Sequence, residues 1–93
     1  MKDPMTPAKE TTVTITGISS KIKEVKYTTV PDTTTTLCLV YMRNGFLVIG
    51  KSACVDKTKF NVALGEKYAY EDALSKLWEL EGYLLAESLN NKE

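Results

Sequence analysis

The sequence predicts a single α+β domain: a helix, a two-stranded antiparallel β-hairpin and a long C-terminal amphipathic helix. Two observations indicate this class. Two β-rich runs, LCLVYMR and FLVIGKS, are joined by Asn44-Gly45, and the last third of the chain repeats its apolar residues at helical spacing. At 93 residues the chain has the length of one domain. Residues 1–10 carry two prolines and four charges without apolar periodicity, which predicts an N-terminal arm before a domain at 11–93.

The segment after the arm has two competing interpretations. Val13 and Ile15 alternate with threonines, as in a strand. A longer pattern with intervals of 3, 4 and 3 residues, as on one helix face, is formed by Ile15, Ile18, Ile22 and Val25. We therefore predict a helix over residues 16–27, capped by Thr14 or Thr16.

The Asn44-Gly45 dipeptide tolerates the positive φ angles of a two-residue type I′ turn, and such a turn determines the strand register. It would pair Met42 with Leu47 and Val40 with Ile49. One face of the hairpin would then carry Cys38, Val40, Met42, Leu47 and Ile49, and the other Leu37, Leu39, Tyr41, Phe46 and Val48. Both faces are apolar, so we expect each of them to be covered.

The last helix is predicted from Asn61, as its cap, to Leu89. Projected at about 100° per residue, one arc of about 180° contains Ala69, Tyr70, Ala73, Leu74, Leu77, Trp78, Leu80, Leu84 and Leu85. So wide an arc fits either a helix sunk into its own hairpin or a helix shared between the core and a second subunit. Together with the two-faced hairpin it favours a homodimer or higher oligomer, with Tyr41, Phe46, Leu74, Trp78 and Leu85 at the interface.

Composition excludes several functions. Twelve basic residues balance twelve acidic ones, which removes the simplest electrostatic case for a nucleic-acid or membrane partner. The chain contains no histidine, so Ser/His and Cys/His catalysis is excluded, and its two cysteines cannot form a zinc cluster. Glycine-rich phosphate loops and apolar runs of membrane-spanning length are also absent from the sequence. We expect no enzyme activity, metal, cofactor or membrane partner, with a Cys54-dependent activity as the minor alternative.

Five residues are candidates for binding a ligand or partner where the hairpin exit meets the last helix: Ser52, Cys54, Lys67, Tyr70 and Glu81. Glu81 is unusual because it projects inside the apolar arc. A carboxylate in an apolar setting needs a partner, since leaving its charge unpaired there is costly. Glu81 therefore either forms an ion pair within the fold or anchors a ligand, and the first interpretation is favoured.

A second possible binding surface is basic: Lys51, Lys57, Lys59 and Lys67 surround the loop before the last helix. The order helix, strands, helix with basic residues at this place loosely resembles a double-stranded RNA-binding domain. The third strand of that domain is not evident in the sequence, and no paired lysines open the last helix. Ordinary surface lysines are therefore the favoured interpretation, and nucleic-acid binding is the alternative.

The combination NGFLVIGKSACV, then KFN, then AYEDALSKLWELEGYLLAESL resembles the phage gene-product-49 and gene-66 family of small tailed-phage and prophage proteins. The resemblance covers residues 18–89. The matching positions are Asn44, Gly45, Phe46, Gly50, Ser52, Ala53, Cys54, Val55, Phe60, Asn61, Gly65, Lys67, Ala69, Tyr70, Glu71, Ala73, Leu77, Trp78, Leu80, Glu81, Gly82 and Tyr83. Lys57 departs from the pattern, because relatives often carry proline there.

The resemblance implies a phage or prophage origin and action in the cytoplasm of a bacterial host. By analogy with other small phage accessory proteins, we expect a non-enzymatic protein that acts by binding. The expected partner is a host defence factor, which it would inhibit, or a small nucleotide signal, which it would sequester.

Overall fold

The computed structural model describes residues 12–91. The elements, in order, are α1 (Ile15–Ser20), β1 (Ile22–Thr29), β2 (Thr35–Met42), β3 (Leu47–Ala53), a 3₁₀ turn (Lys57–Lys59) and α2 (Val62–Asn90). The α+β class is confirmed, but the prediction of two strands was wrong: the antiparallel sheet has three, in the order β1-β2-β3. The predicted arm at 1–10 lies outside the described residues.

The predicted first helix ends early, and its second half is strand β1. Thr14 is the cap, and its Oγ1 accepts a hydrogen bond of 3.0 Å from the Gly17 amide. Ile22 and Val25 are three residues apart, so a regular strand would place them on opposite faces. A β-bulge between Ile22 and Glu24 adds one residue, and both side chains consequently face the core. The bulge thus produces the spacing that resembled a helix.

The hairpin is confirmed, but its predicted register was wrong by one residue. The Met42 amide donates to the Phe46 carbonyl, and the Gly45 amide donates to the Met42 carbonyl at 3.0 Å. This is a three-residue loop in which only Gly45 has positive φ, at 92°. Val40 therefore pairs with Val48 instead of Ile49. A slip of one residue exchanges the faces of a strand, so Val48 is buried and Ile49 exposed.

Helix α2 begins after Asn61, as predicted, and covers one face of the sheet. Asn61 Oδ1 accepts a hydrogen bond from the Leu64 amide, which satisfies a free donor of the first turn. One i, i+4 row of α2 provides its most buried residues, Ala69, Ala73 and Leu77. These pack with Ile18, Cys38, Val40, Met42 and Val48 to form the core.

The opposite face of the sheet, called here the outer face, is not covered by any described element. Leu37, Leu39 and Tyr41 on β2 are half-buried there, and Leu47 and Ile49 on β3 are exposed. Helix α2 is also longer than the sheet, since 29 residues span about 43 Å whereas an eight-residue strand spans about 26 Å. The second half of α2 therefore extends beyond the hairpin and has α1 as its neighbour.

Candidate functional site

The five predicted binding residues do not converge on one site. Ser52 and Cys54 line a cavity of about 180 Å³ at the start of α2, together with Lys59, Asn61 and Tyr68 among others. Ser52 Oγ donates a hydrogen bond of 2.7 Å to the Gly65 carbonyl, and Cys54 Sγ donates one of 3.1 Å to the Asp56 carbonyl. The Ser52 bond joins β3 to α2, whereas the Cys54 bond is local. The cavity is smaller than most ligand sites.

Glu81 lies in a different place. Its Oε1 is 2.7 Å from Lys21 Nζ, and 18% of its side chain is exposed. Both residues line a groove of about 480 Å³ between α1 and the second half of α2. Sixteen residues of helix, about 24 Å, separate Glu81 from Gly65 at the first cavity. The ion pair expected for Glu81 is therefore present, and it links the end of α1 to the second half of α2.

The groove between α1 and α2 has mixed chemistry. Its apolar lining includes Val13, Ile18, Leu84 and Leu85, and its hydroxyls include those of Thr16 and Ser88. Its volume is within the range of small-molecule sites. Lys21 and Glu81 are the charged side chains that line it. Of the predicted binding residues, Glu81 alone lies here.

Lys67 and Tyr70 belong to neither cavity. Lys67 is exposed, with its Nζ 5.6 Å from the centroid of the Tyr68 ring. Tyr70 packs against the core, in the same region as Tyr27 and Cys38. Burial raises the pKa of the Cys38 thiol and that of the Tyr27 phenol. Both groups are consequently protonated at neutral pH, which fits a packing role for Cys38.

The lysines proposed to contact nucleic acid lie on three elements: Lys51 on β3, Lys57 and Lys59 in the 3₁₀ turn, and Lys67 on α2. Lys51, Lys57, Lys59 and Lys67 are all exposed. Acidic residues directly precede two of them, Asp56 before Lys57 and Glu66 before Lys67. Asp56 caps the turn, and hydrogen bonds from the Thr58 hydroxyl and amide lower the pKa of its carboxyl. The surface is therefore electrostatically mixed, as the balanced composition suggests.

A family model for "Phage protein (N4 Gp49/phage Sf6 gene 66)" matches residues 13–89, which include α1, all three strands, the 3₁₀ turn and nearly all of α2. The chain belongs to this phage protein family. No curated protein and no solved structure shows a significant match to it. The resemblance seen in the sequence is thus confirmed, and the match extends five residues further toward the N-terminus, through α1.

In this family member the predicted oligomer interface is divided among several surfaces. Phe46 and Trp78 are exposed, at 57% and 44%, whereas Leu74 packs against the core. Tyr41 lies on the outer face, and Leu85 lines the groove. These residues stay a prediction for the interface. No helix within residues 12–91 is long and apolar enough to cross a membrane, and no group of residues there has the composition of a metal site.

Two features of this phage protein were missed from the sequence. Lys21, the partner of Glu81, is 60 positions away, and no sequence signal connects them. Asp72 and Lys76 have the i, i+4 spacing of a helix-stabilising pair, which the sequence does show. Both also bind the edge of strand β3, which was detectable only once α2 had been placed beside that strand.

Proposed function

We propose that this protein is a non-catalytic, homo-oligomeric phage accessory protein that acts by binding in the host cytoplasm. Its partner would be a host defence protein or a small nucleotide signal. The observation that carries the proposal is the second half of α2, which extends beyond the sheet and leaves large apolar side chains uncovered. We call these residues, Trp78, Leu80, Tyr83 and Leu84, the distal surface.

The distal surface has the composition of a binding site. Its side chains are between 44% and 70% exposed, with Tyr83 the most exposed. Tryptophan and tyrosine are enriched among the residues that dominate binding energy at protein interfaces. Leu80, Tyr83 and Leu84 are neighbours at i, i+3 and i, i+4 on the helix, and exposed apolar side chains that adjoin in this way commonly mark interaction surfaces. A host protein is the partner that this surface favours.

The groove beside the distal surface supports the small-ligand form of the proposal. Leu84 belongs to both, so one ligand can contact the groove and the distal surface together. An anionic ligand would compete with Glu81 for the Lys21 ammonium group, 2.7 Å from the carboxylate. The apolar lining would take the uncharged part of the ligand.

Phage plating tests the proposal. The protein is expressed in a host with a defence system that blocks the phage when this protein is missing. The efficiency of plating is then measured. We expect Tyr83→Glu to abolish the effect, because a charge placed on the distal surface opposes apolar contact. Ser88→Trp, which fills the groove, should abolish it only if the partner is a small signal.

Two matched controls accompany these variants. Val55 is fully exposed in the loop before the 3₁₀ turn, so Val55→Glu adds the same charge away from α2 and should retain the effect. Cys54→Ser should also retain it, since the chain has no histidine to serve as a base for that thiol. Full activity of both Tyr83→Glu and Ser88→Trp would contradict the proposal. Loss of activity in Cys54→Ser would favour an enzyme.

Nucleic-acid binding is the second candidate, and one observation favours it. The third strand, absent from the prediction, is present, so the element order α1-β1-β2-β3-α2 is closer to that of a double-stranded RNA-binding domain. If this function is correct, duplex RNA should bind with a strong salt dependence. Replacing Lys57 and Lys59 with glutamine should reduce the slope of log K against log salt by about 2. Absence of binding even at low salt would exclude it.

A further inference from the structure

The two edges of the sheet differ in how their backbone groups are satisfied. At β3, α2 supplies side chains to two of the outward-pointing groups: the Lys51 amide donates to Asp72 Oδ2 at 2.9 Å, and Lys76 Nζ donates to the Ile49 carbonyl at 2.7 Å. Asp72 and Lys76 are themselves paired at 3.4 Å. The β3 edge is therefore closed to another strand.

The β1 edge is open. The Val30 amide donates to the Thr35 carbonyl at 2.9 Å, and in an antiparallel pair such bonding alternates along the strand. From the bulge onward, the even-numbered residues of β1 therefore bond to β2, and the amides and carbonyls of Val25 and Tyr27 point away from the sheet. Within residues 12–91 no hydrogen bond is made to these outward groups. They form a template for one more antiparallel strand.

We propose that the occupant of this edge is β1 of a second copy, paired antiparallel about a two-fold axis at Val25. This rests on the homo-oligomer of the proposed function and places its interface. A two-fold axis that relates two antiparallel edge strands of one sheet is perpendicular to that sheet. Odd-numbered residues therefore pair with odd-numbered residues, and even-numbered with even-numbered. Centring on Val25 places Glu24 opposite Lys26 of the second copy, and the symmetry repeats that pair.

Neighbouring registers are electrostatically worse. An axis at Glu24 would place two glutamates opposite each other, and an axis at Lys26 would do the same with two lysines. Like charges directly opposite each other destabilise an antiparallel pair. An axis at Tyr27 would not place any charged residue opposite one of the other sign. The Glu24 and Lys26 positions would be non-hydrogen-bonded pairs across the new interface, where side chains approach most closely. The charge pattern therefore selects one register.

The same charges discourage other partners. Glu24 and Lys26 are both about half-exposed on the outer face, 3.8 Å apart, and Lys26 Nζ lies 5.5 Å from the Tyr41 ring centroid. Charged residues and a bulge on an edge strand oppose pairing with an arbitrary strand. A second copy is the strand that brings the complementary sequence. The pairing would create a continuous six-stranded sheet with Val25 of each copy adjacent.

A charge swap tests this arrangement by analytical ultracentrifugation, with circular dichroism to verify folding. Wild type should be a dimer or an even-numbered oligomer. Lys26→Glu and Glu24→Lys should each raise the dissociation constant by about tenfold or more, because like charges then face each other twice. The double variant Glu24→Lys/Lys26→Glu should restore assembly. Lys57→Glu, in the 3₁₀ turn, is the control and should assemble as wild type does.

The outcomes separate this inference from the proposed function. If neither single charge reversal weakens the oligomer, β1 pairing is overturned, whereas the proposed homo-oligomer is not. A double variant that assembles no better than the single variants would overturn the Val25 register. A monomeric wild type would overturn both the pairing and the proposed oligomer, whereas the plating result does not depend on this measurement.

Discussion

Gly50 lies where strand β3 approaches helix α2 most closely. A Cβ atom built there would be 2.1 Å from the Ala69 carbonyl oxygen and 2.5 Å from the Ala73 amide nitrogen. These are backbone atoms of a packed helix, so they cannot move as the end of a side chain can. We expect Gly50→Ala to lower the free energy of unfolding by about 1–3 kcal/mol, as overpacked cores do. Urea denaturation measures the change.

Gly82 is the matched control at the same scale. It is inside α2, and a Cβ atom there would meet nothing within 4 Å. Alanine is the better helix former because glycine loses more backbone freedom on folding, so Gly82→Ala should raise the free energy of unfolding by about 0.5–1 kcal/mol. Equal effects of the two substitutions would contradict the close packing at Gly50. The sequence contains both glycines in the family-like pattern and does not distinguish them.

The elements differ in how well sequence predicted them. The Asn61 cap and the helical period of α2 are local features, as are the two β-rich runs, and all three were predicted correctly. Strand β1 was missed because a bulge between Ile22 and Glu24 gives it helix-like spacing. The hairpin register was missed because Asn44-Gly45 fits both a two-residue and a three-residue loop. Bulges and loop lengths depend on the partner strand, which local spacing does not report.

The closure of the β3 edge by α2 predicts a pH dependence of stability. Hydrogen bonding from the Lys51 amide, followed by that from the Lys76 side chain, lowers the pKa of the Asp72 carboxyl below its value in the unfolded chain. Its contribution is therefore complete above the unfolded pKa of about 3.9 and is lost as pH falls through the folded pKa. We expect the stability difference between wild type and Asp72→Asn to be constant from pH 7 to pH 5.

Below that range the difference should decrease, because the native carboxylate becomes protonated. Urea denaturation of both proteins between pH 7 and pH 2 measures it. Asp72→Asn is a mild change, since its amide oxygen can still accept from the Lys51 amide. A difference that stays the same down to pH 2 would mean that ionisation of Asp72 adds nothing to the closure of the edge.

At the scale of the whole molecule, the predicted binding residues separate because α2 is long. Ser52 and Cys54 contact its start, and Glu81 lies about 24 Å further along. Sequence correctly indicated that Glu81 needs a partner, and Lys21 became identifiable only when α1 was placed beside α2. Local pattern thus predicts which residue is unusual. It does not predict which distant residue meets it, since that depends on the tertiary arrangement.

Trp78 reports which surface of the molecule the oligomer uses. It is the one tryptophan of the chain and is 44% exposed on the distal surface, whereas the proposed subunit contact lies along β1. Diluting the protein until the dimer dissociates, so that the measured molecular mass halves, should therefore leave the wavelength of maximum tryptophan emission unchanged. The surroundings of Trp78 do not change when the β1 contact is lost. Fluorescence and light scattering on the same dilution series provide the comparison. A shift to longer wavelength in step with the fall in molecular mass would place Trp78 in the interface, as predicted from sequence. It would contradict a subunit contact along β1.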